Sequence, residues 1–178
     1  MDWFRIRHTL ALHLIMTGGK RAEYIKKHHV FANMGENCIV MFRKVPLHSK
    51  LISIGNNVRI ASNVTFVTHD VIHKMLNTKY APEKVYPEFK GCIEIKDNVF
   101  IGANTTVLPN VSIGPNVIIG ACSLVNKDIS EGVYAGVPAK YICSLEDFLA
   151  KRYPNAESKD EKSDESLWKQ FYCERKPG

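Results

Sequence analysis

His69 lies in the run Val67-Thr68-His69-Asp70, three residues beyond Phe66 and directly before a long stretch without regular pattern. Imidazole titrates near neutrality, so a firmly held histidine can take the proton of a hydroxyl as a general base, an effect typically worth about 10² to 10⁴ in rate. Two further polar groups follow closely, Asp70 and His73, and either is placed to contact a bound substrate. Adjacent residues on extended backbone point to opposite sides, so Asp70 equally suits the fixing of a loop entry, and His73 the surface of that loop.

The element that must position His69 is a repeat. Ile95, Ile101, Val107, Ile113, Ile119 and Val125 recur at every sixth residue, and Val137 returns to the register after Glu131 misses a step. Earlier in the chain the repeat starts at Val40, an irregular patch with Pro46 interrupts it, and Ile54, Ile60 and Phe66 resume the six-residue step. A second track runs four residues behind, through Val99, Thr105, Val111, Val117, Ser123, Ile129 and Ala135. A period of six matches neither the turn of a helix nor the alternation of a strand, and predicts a solenoid of short stacked strands. The third position after the ladder residues holds Asn37, Asn57, Asn63, Asn98, Asn104, Asn110 and Asn116. Asparagine accepts left-handed backbone more readily than most residues, so each of these predicts a tight corner. Gly55, Gly102, Gly114 and Gly120 follow ladder residues, where backbones approach closely.

His69 occupies the slot that asparagine fills elsewhere, and is therefore expected at a corner of the coil. The ladder is then lost through Pro82 and Pro87 and resumes at Ile95, which predicts a protruding loop at about 71–91. Long loops in compact domains are commonly functional.

The flanks frame the repeat. With 178 residues, 45% hydrophobic and 24% charged, the chain suits one domain with terminal appendages. Residues 1–33 read as an N-terminal helical segment: Trp3, Ile6, Leu10 and Leu14 predict an amphipathic helix, and Lys20 to His29 a second short one. The apolar run before Met16 is broken by His8 and His13 and is too short to span a membrane. Residues 34–142 carry the repeat, and 143–178 predict a C-terminal helical extension. In that extension Ser144-Leu145-Glu146-Asp147 opens a capped helix to about Tyr153, Lys159 to Glu165 is a charged linker, and Leu167, Trp168 and Phe171 have helical spacing. The net charge of +6 suits an anionic ligand or a phosphate-bearing cofactor, and its scatter, without interleaved aromatics, argues against nucleic acid. Five cysteines, Cys38, Cys92, Cys122, Cys143 and Cys173, with no CxxC pair, fit a reduced, cytoplasmic protein in which they serve as small apolar fillers.

Three ordered stretches carry a family resemblance: Val99-Phe100-Ile101-Gly102-Ala103-Asn104, Ile119-Gly120-Ala121-Cys122-Ser123-Leu124-Val125, and Ala135-Gly136-Val137-Pro138-Ala139-Lys140. They resemble the signature stretches of the hexapeptide-repeat acyltransferases, within them the galactoside, maltose and xenobiotic O-acetyltransferase branch. The resemblance implies an all-β solenoid, a left-handed parallel β-helix, assembled as a homotrimer with acetyl-CoA in the groove between subunits and no metal. Handedness rests on the resemblance alone, because crossover rules favour the right-handed form. The resemblance also implies His69 as general base for acetyl transfer to a hydroxyl. Ala103 and Ala121 would line the pantetheine arm, Phe100 would wall the thioester, and Asn126, Lys127 and Lys140 would lie at the nucleotide end, the lysines as point charges toward phosphates. Cys122 and Asn110 stand where the family commonly has glycine.

The expected acceptor is a hydroxyl of a sugar or polysaccharide, with a xenobiotic alcohol or an amino-sugar amine as alternatives. The stretch from Phe42 to Ser49 does not align with the acceptor region of the sugar acetyltransferases. Two other readings compete. A zinc hydratase on the same coil needs three histidines from neighbouring coils, and none follows His73; a trimeric binding scaffold would need a blocked His69.

Overall fold

The computed structural model describes residues 2–154 and 163–174. The short strands of the repeat pair in parallel into three sheets that the chain visits in turn. Face A stacks β1 (Asn33–Met34), β3 (Ile52–Ile54), β6 (Ile93–Ile95) and β9 (Val111–Ile113); face B stacks β2 (Ile39–Val40), β4 (Arg59–Ile60), β7 (Val99–Ile101), β10 (Val117–Ile119) and β12 (Gly132–Ala135). Face C holds β5 (Thr65–Phe66), β8 (Thr106–Val107) and β11 (Leu124–Val125).

The register explains the period of six. Val117 pairs with Val99 and Ile119 with Ile101, so each inward residue lies on its equivalent one coil away. Every ladder residue from Ile95 to Val125 is buried, and so are Val99, Thr105, Val111, Val117, Ser123 and Ile129 of the second track. Burial of a Val or Ile side chain stabilises by about 1.5–3 kcal/mol, so this column is the main source of cohesion.

Between faces the chain turns on asparagine. All seven predicted corner asparagines have φ between 51° and 60°. At the corner from face A to face B their side chains also join, Asn37 Nδ2 donating to Asn57 Oδ1 (3.1 Å), Asn57 to Asn98 (2.9 Å) and Asn98 to Asn116 (3.1 Å).

Several expectations are corrected. Val137 does not rejoin the ladder: the coil ends in an antiparallel hairpin of β12 with β13 (Lys140–Cys143), the chain turns back through Gly136 at φ +101°, and Val137 is left 71% exposed. The loop is not structureless but contains α3 (Ile72–Tyr80, numbered after the two N-terminal helices), closed by Asn77, whose side chain bonds both Tyr86 N (2.7 Å) and Tyr86 O (3.0 Å). In α1 (Trp3–Leu14) the expected apolar face is the outer one, with Trp3 72% and Leu14 82% exposed. The buried side is His8 and Leu12, because α1 packs its His8 ring on α2 (Gly18–Lys27), where His8 Nδ1 meets the Tyr24 hydroxyl at 2.9 Å. Of the cysteines only Cys38 is buried, and burial pushes its thiol pKa up; Cys92, Cys122 and Cys173 are exposed.

Residues Met1–Phe148 form one compact unit and Leu149–Gly178 a second. The helix expected after Ser144 is α4 (Leu145–Arg152), its cap made by Ser144 Oγ accepting from Asp147 N at 3.0 Å. The second unit contains α5 (Asp164–Glu174), on which Trp168 stacks on Tyr172 with ring centres 5.8 Å apart. Of the expected charged linker, residues 159–162 lie outside the described residues, while Asp164 and Glu165 open α5. Among the described residues no helix is long and apolar enough to cross a membrane.

Candidate active site

The chain reaches His69 under tight control. Val67 N donates to Val107 O on face C (2.9 Å), and the buried Thr68 hydroxyl donates to the Leu47 carbonyl at 2.6 Å. Unlike the asparagines of the other corners, His69 is not left-handed, which removes the reading of it as one more corner residue. Its backbone forms an antiparallel bridge with Lys90, while Gly91 N donates to Thr68 O (2.9 Å) and Asp70 N to Phe89 O (3.3 Å). The two legs of the loop are thus closed on each other, with His69 at the stem. The Asp70 carboxylate accepts the Ile72 N–H at 3.0 Å, a bond that fixes the start of the loop helix.

Around the stem a group of side chains assembles that lies far apart in sequence. His48, itself left-handed at φ +52°, packs edge-on to the His69 ring with centres 5.0 Å apart. Its Nε2 is 3.7 Å from Glu88 Oε1, and Lys90 Nζ is 2.7 Å from Glu88 Oε2. The hydrogen bond from Lys90 holds the Glu88 carboxyl below its ordinary pKa; desolvation opposes this, and the fields of Lys90, His48 and His73 add to it. Nδ1 of His69 and Nδ1 of His73 are both enclosed without a hydrogen-bond partner. Enclosed ring nitrogens of this kind can bind or exchange a proton with a ligand that enters.

A cleft of about 620 Å³ opens beside His69. Its apolar wall includes Phe42, Val45, Pro46 and Phe66, and its cationic groups are Arg5, Arg43 and Lys44.

The residues expected along the cofactor occupy other parts of the coil. Ala103 and Ala121 are stacked at the corner from face B to face C, where Cys122 N donates to Ala103 O at 2.8 Å. Cys122 takes the left-handed backbone there at φ +57° and is exposed. Phe100 sits mid-strand on the outside of face B, 43% exposed, paired in register with Arg59 and Ile118. Asn126 and Lys127 are exposed just beyond β11, and Lys140 is exposed next to Ala139, whose N–H reaches Leu124 O at 2.8 Å. Within one chain, then, His69 lies at the corner from face C to face A, whereas Phe100 and the two alanines lie on face B and at the opposite edge of face C. Among the described residues no group of three or more His, Cys, Asp or Glu side chains is arranged to hold a metal ion.

The profile of the bacterial transferase hexapeptide family (six repeats) matches residues 93–127. The galactoside O-acetyltransferase of Lactococcus lactis is 30% identical over 165 residues, covering 79% of this chain and 75% of that protein. The chain belongs to the hexapeptide-repeat acyltransferase family. CapG of Staphylococcus aureus is 44% identical over 110 residues, which are 60% of each chain. Two further curated relatives are spanned to 55% of their length. A solved galactoside acetyltransferase in complex with coenzyme A is 28% identical, with 89% of this chain and 88% of that one covered and a TM-score of 0.57.

Sequence reasoning within this family missed His48, Glu88 and Lys90. His48 sits in the irregular stretch that leads to face A, and its only signal was that it precedes a return to the ladder; Glu88 and Lys90 lie in the loop, where no register applies.

Proposed function

We propose that the protein transfers an acetyl group from acetyl-CoA to a hydroxyl of a sugar or polysaccharide, with His69 as general base. The observation that carries this reading is the position of His69 at the loop stem, lining the cleft with one ring nitrogen enclosed and unpartnered. In the reaction the acceptor hydroxyl attacks the thioester carbonyl as His69 takes its proton. A carbon–oxygen bond forms, the carbon–sulfur bond breaks, and the proton passes to the departing thiolate to give free CoA.

Acetyl-CoA is assigned by kinship with a galactoside acetyltransferase that holds coenzyme A. Ala103 and Ala121 provide a small-residue seam for the pantetheine arm, Phe100 an apolar wall, and Asn126, Lys127 and Lys140 the polar end for the nucleotide. Because these groups and His69 lie at different edges of one chain, the reading includes a left-handed coil assembled as a homotrimer, in which the seam of one copy faces the His69 of the next. Asp70 acts in this reading by fixing the loop, and His73 by contact with the acceptor.

The test is thiol release from acetyl-CoA over a panel of sugars and hydroxylated antibiotics, together with the mass of the species in solution. Failure to bind CoA would overturn the transferase reading, and a monomer with full activity would overturn the shared site.

A further inference from the structure

The cleft beside His69 is lopsided in charge. Arg5, Arg43 and Lys44 line it together with His13, and among the described residues no carboxylate does. The guanidinium groups are held by neutral partners: Arg5 Nε donates to the Val45 carbonyl and Arg43 Nη1 to the His13 carbonyl, each at 2.8 Å. The Asp2 carboxylate accepts the Arg5 backbone N–H at 3.1 Å as the cap of α1, while the Arg5 guanidinium turns to Val45. Glu88, near the His69 ring, is occupied by Lys90 and His48.

Behind the cleft wall a further cation is buried. Arg21 is fully enclosed, and its donors go to the carbonyls of Val40 (2.8 Å) and Ile15 (2.7 Å) and to the Met41 sulfur (3.4 Å). Burial, and then the charge of Arg43, lower its pKa, so the two cations feel each other. A buried charge without a counter-charge is costly, and it raises the positive potential of the space it faces. Met41, which Arg21 touches, lines the cleft. The residues that create this potential come from 41–47 and from the N-terminal helices.

We infer that the acceptor is itself anionic: a hydroxylated saccharide whose carboxylate or phosphate group is received by Arg43, Lys44 and Arg5 while its hydroxyl faces His69. This rests on the transfer reading above and narrows its substrate class. Guanidinium matches both oxyanions in a bidentate manner, and lysine adds a point charge. An apolar floor of Phe66, Val45 and Pro46 suits the face of a sugar ring.

The experiment compares matched acceptors on the full chain with acetyl-CoA: glucose, glucuronate and glucose 6-phosphate, followed by thiol release, with direct calorimetric binding of the same three compounds. The expected result is that one or both anionic compounds exceed glucose at least about tenfold in kcat/KM and in affinity, and that added salt erodes the difference. Glucuronate and the phosphate ester distinguish the two oxyanions. Arg43→Gln and Lys44→Gln, both at exposed positions, should each shrink the preference several-fold through the KM of the anionic acceptor, with the KM of acetyl-CoA as the control. Equal use of glucose and its anionic counterparts would overturn the charge assignment while leaving the transferase intact. So would substitutions that raise the KM of acetyl-CoA instead, since the cations would then serve the cofactor. No thiol release with any acceptor, together with no binding of CoA, would overturn both.

Discussion

Replacing Gly102 by alanine probes how rigidly one coil is set on the next. A Cβ there would lie against Ala121 N, 2.7 Å from the Gly120 carbonyl carbon and 2.8 Å from Ala121 Cα, whereas ordinary contact begins at 3.4 Å. All three are backbone atoms, so no side chain can swing aside; the coils must part by at least about 0.7 Å to reach that ordinary contact. The same seam carries Gly102 N to Ile119 O and Cys122 N to Ala103 O, both 2.8 Å. Parting the seam stretches these bonds to about 3.5 Å or more, beyond good geometry. Overpacking costs about 1–3 kcal/mol and two weakened backbone bonds about 1 kcal/mol each, so Gly102→Ala should cost about 3–5 kcal/mol. Gly102 does not have positive φ, so the loss comes from contact and not from conformation. Gly19, in α2, is the control: its Cβ would meet nothing within 4 Å, and alanine there should stabilise by about 0.4–1 kcal/mol. Urea unfolding followed by circular dichroism, with the slope compared between variants, reads both. A Gly102→Ala protein within about 1 kcal/mol of the parent would mean that the coil stretches freely and that the packing argument is wrong.

Other consequences can be checked alongside. His69→Ala should lower kcat by about 10² to 10⁴ while CoA affinity, read by calorimetry, stays near that of the parent; full activity would remove His69 from the chemistry. Asn98→Ala should destabilise by more than Asn98→Gly, because both lose the amide bonds to Asn57 and Asn116 but only alanine is strained at φ +59°. Equal losses in chemical unfolding would contradict the strain. Burial, followed by the charges of Arg7, His28 and Lys50, lowers the His8 pKa from its ordinary 6.5. The unfolded chain therefore takes up the proton first on acidification: stability is complete above about 6.5 and falls below it, by at most about 1.4 kcal/mol per pH unit. The depressed Glu88 acts in the same direction only below its ordinary 4.5. His8→Gln should flatten the profile between pH 7 and 5.5, and an unchanged slope would refute the assignment.

What could be read in the sequence was whatever the coil repeats. Ile101 and Asn104 each meet the same surroundings as their equivalents above and below, so period and residue type were enough to assign burial to one and left-handed backbone to the other. His69 was visible as a departure from that rule, although its backbone proved not to follow the asparagines. Elsewhere the repeat offers no guide. Val137 kept the spacing but fell in a reversal, where the antiparallel β13 ends the stack. The face of α1 was inverted because the helix docks through His8 on Tyr24 and through Arg5 and Thr9 on Val45, polar contacts that a count of apolar residues does not register. Glu88 is brought to His69 by the loop closure at Thr68 and Gly91, and His48 by the bond from the Thr68 hydroxyl to Leu47, long-range events that leave no periodic mark.

The asparagine chain from 37 through 57 and 98 to 116 joins residues separated by 20, 41 and 18 positions. Axial spacing is therefore uncoupled from the length of polypeptide between rungs: the detour through the His69 loop adds residues without adding height. One edge of the prism works as a ruler, while another is open to inserted sequence. Loops of different length and chemistry can be exchanged at residues 71–91 without re-indexing the coils beneath, so the chemistry beside His69 and the mechanical stability of the stack are free to vary independently.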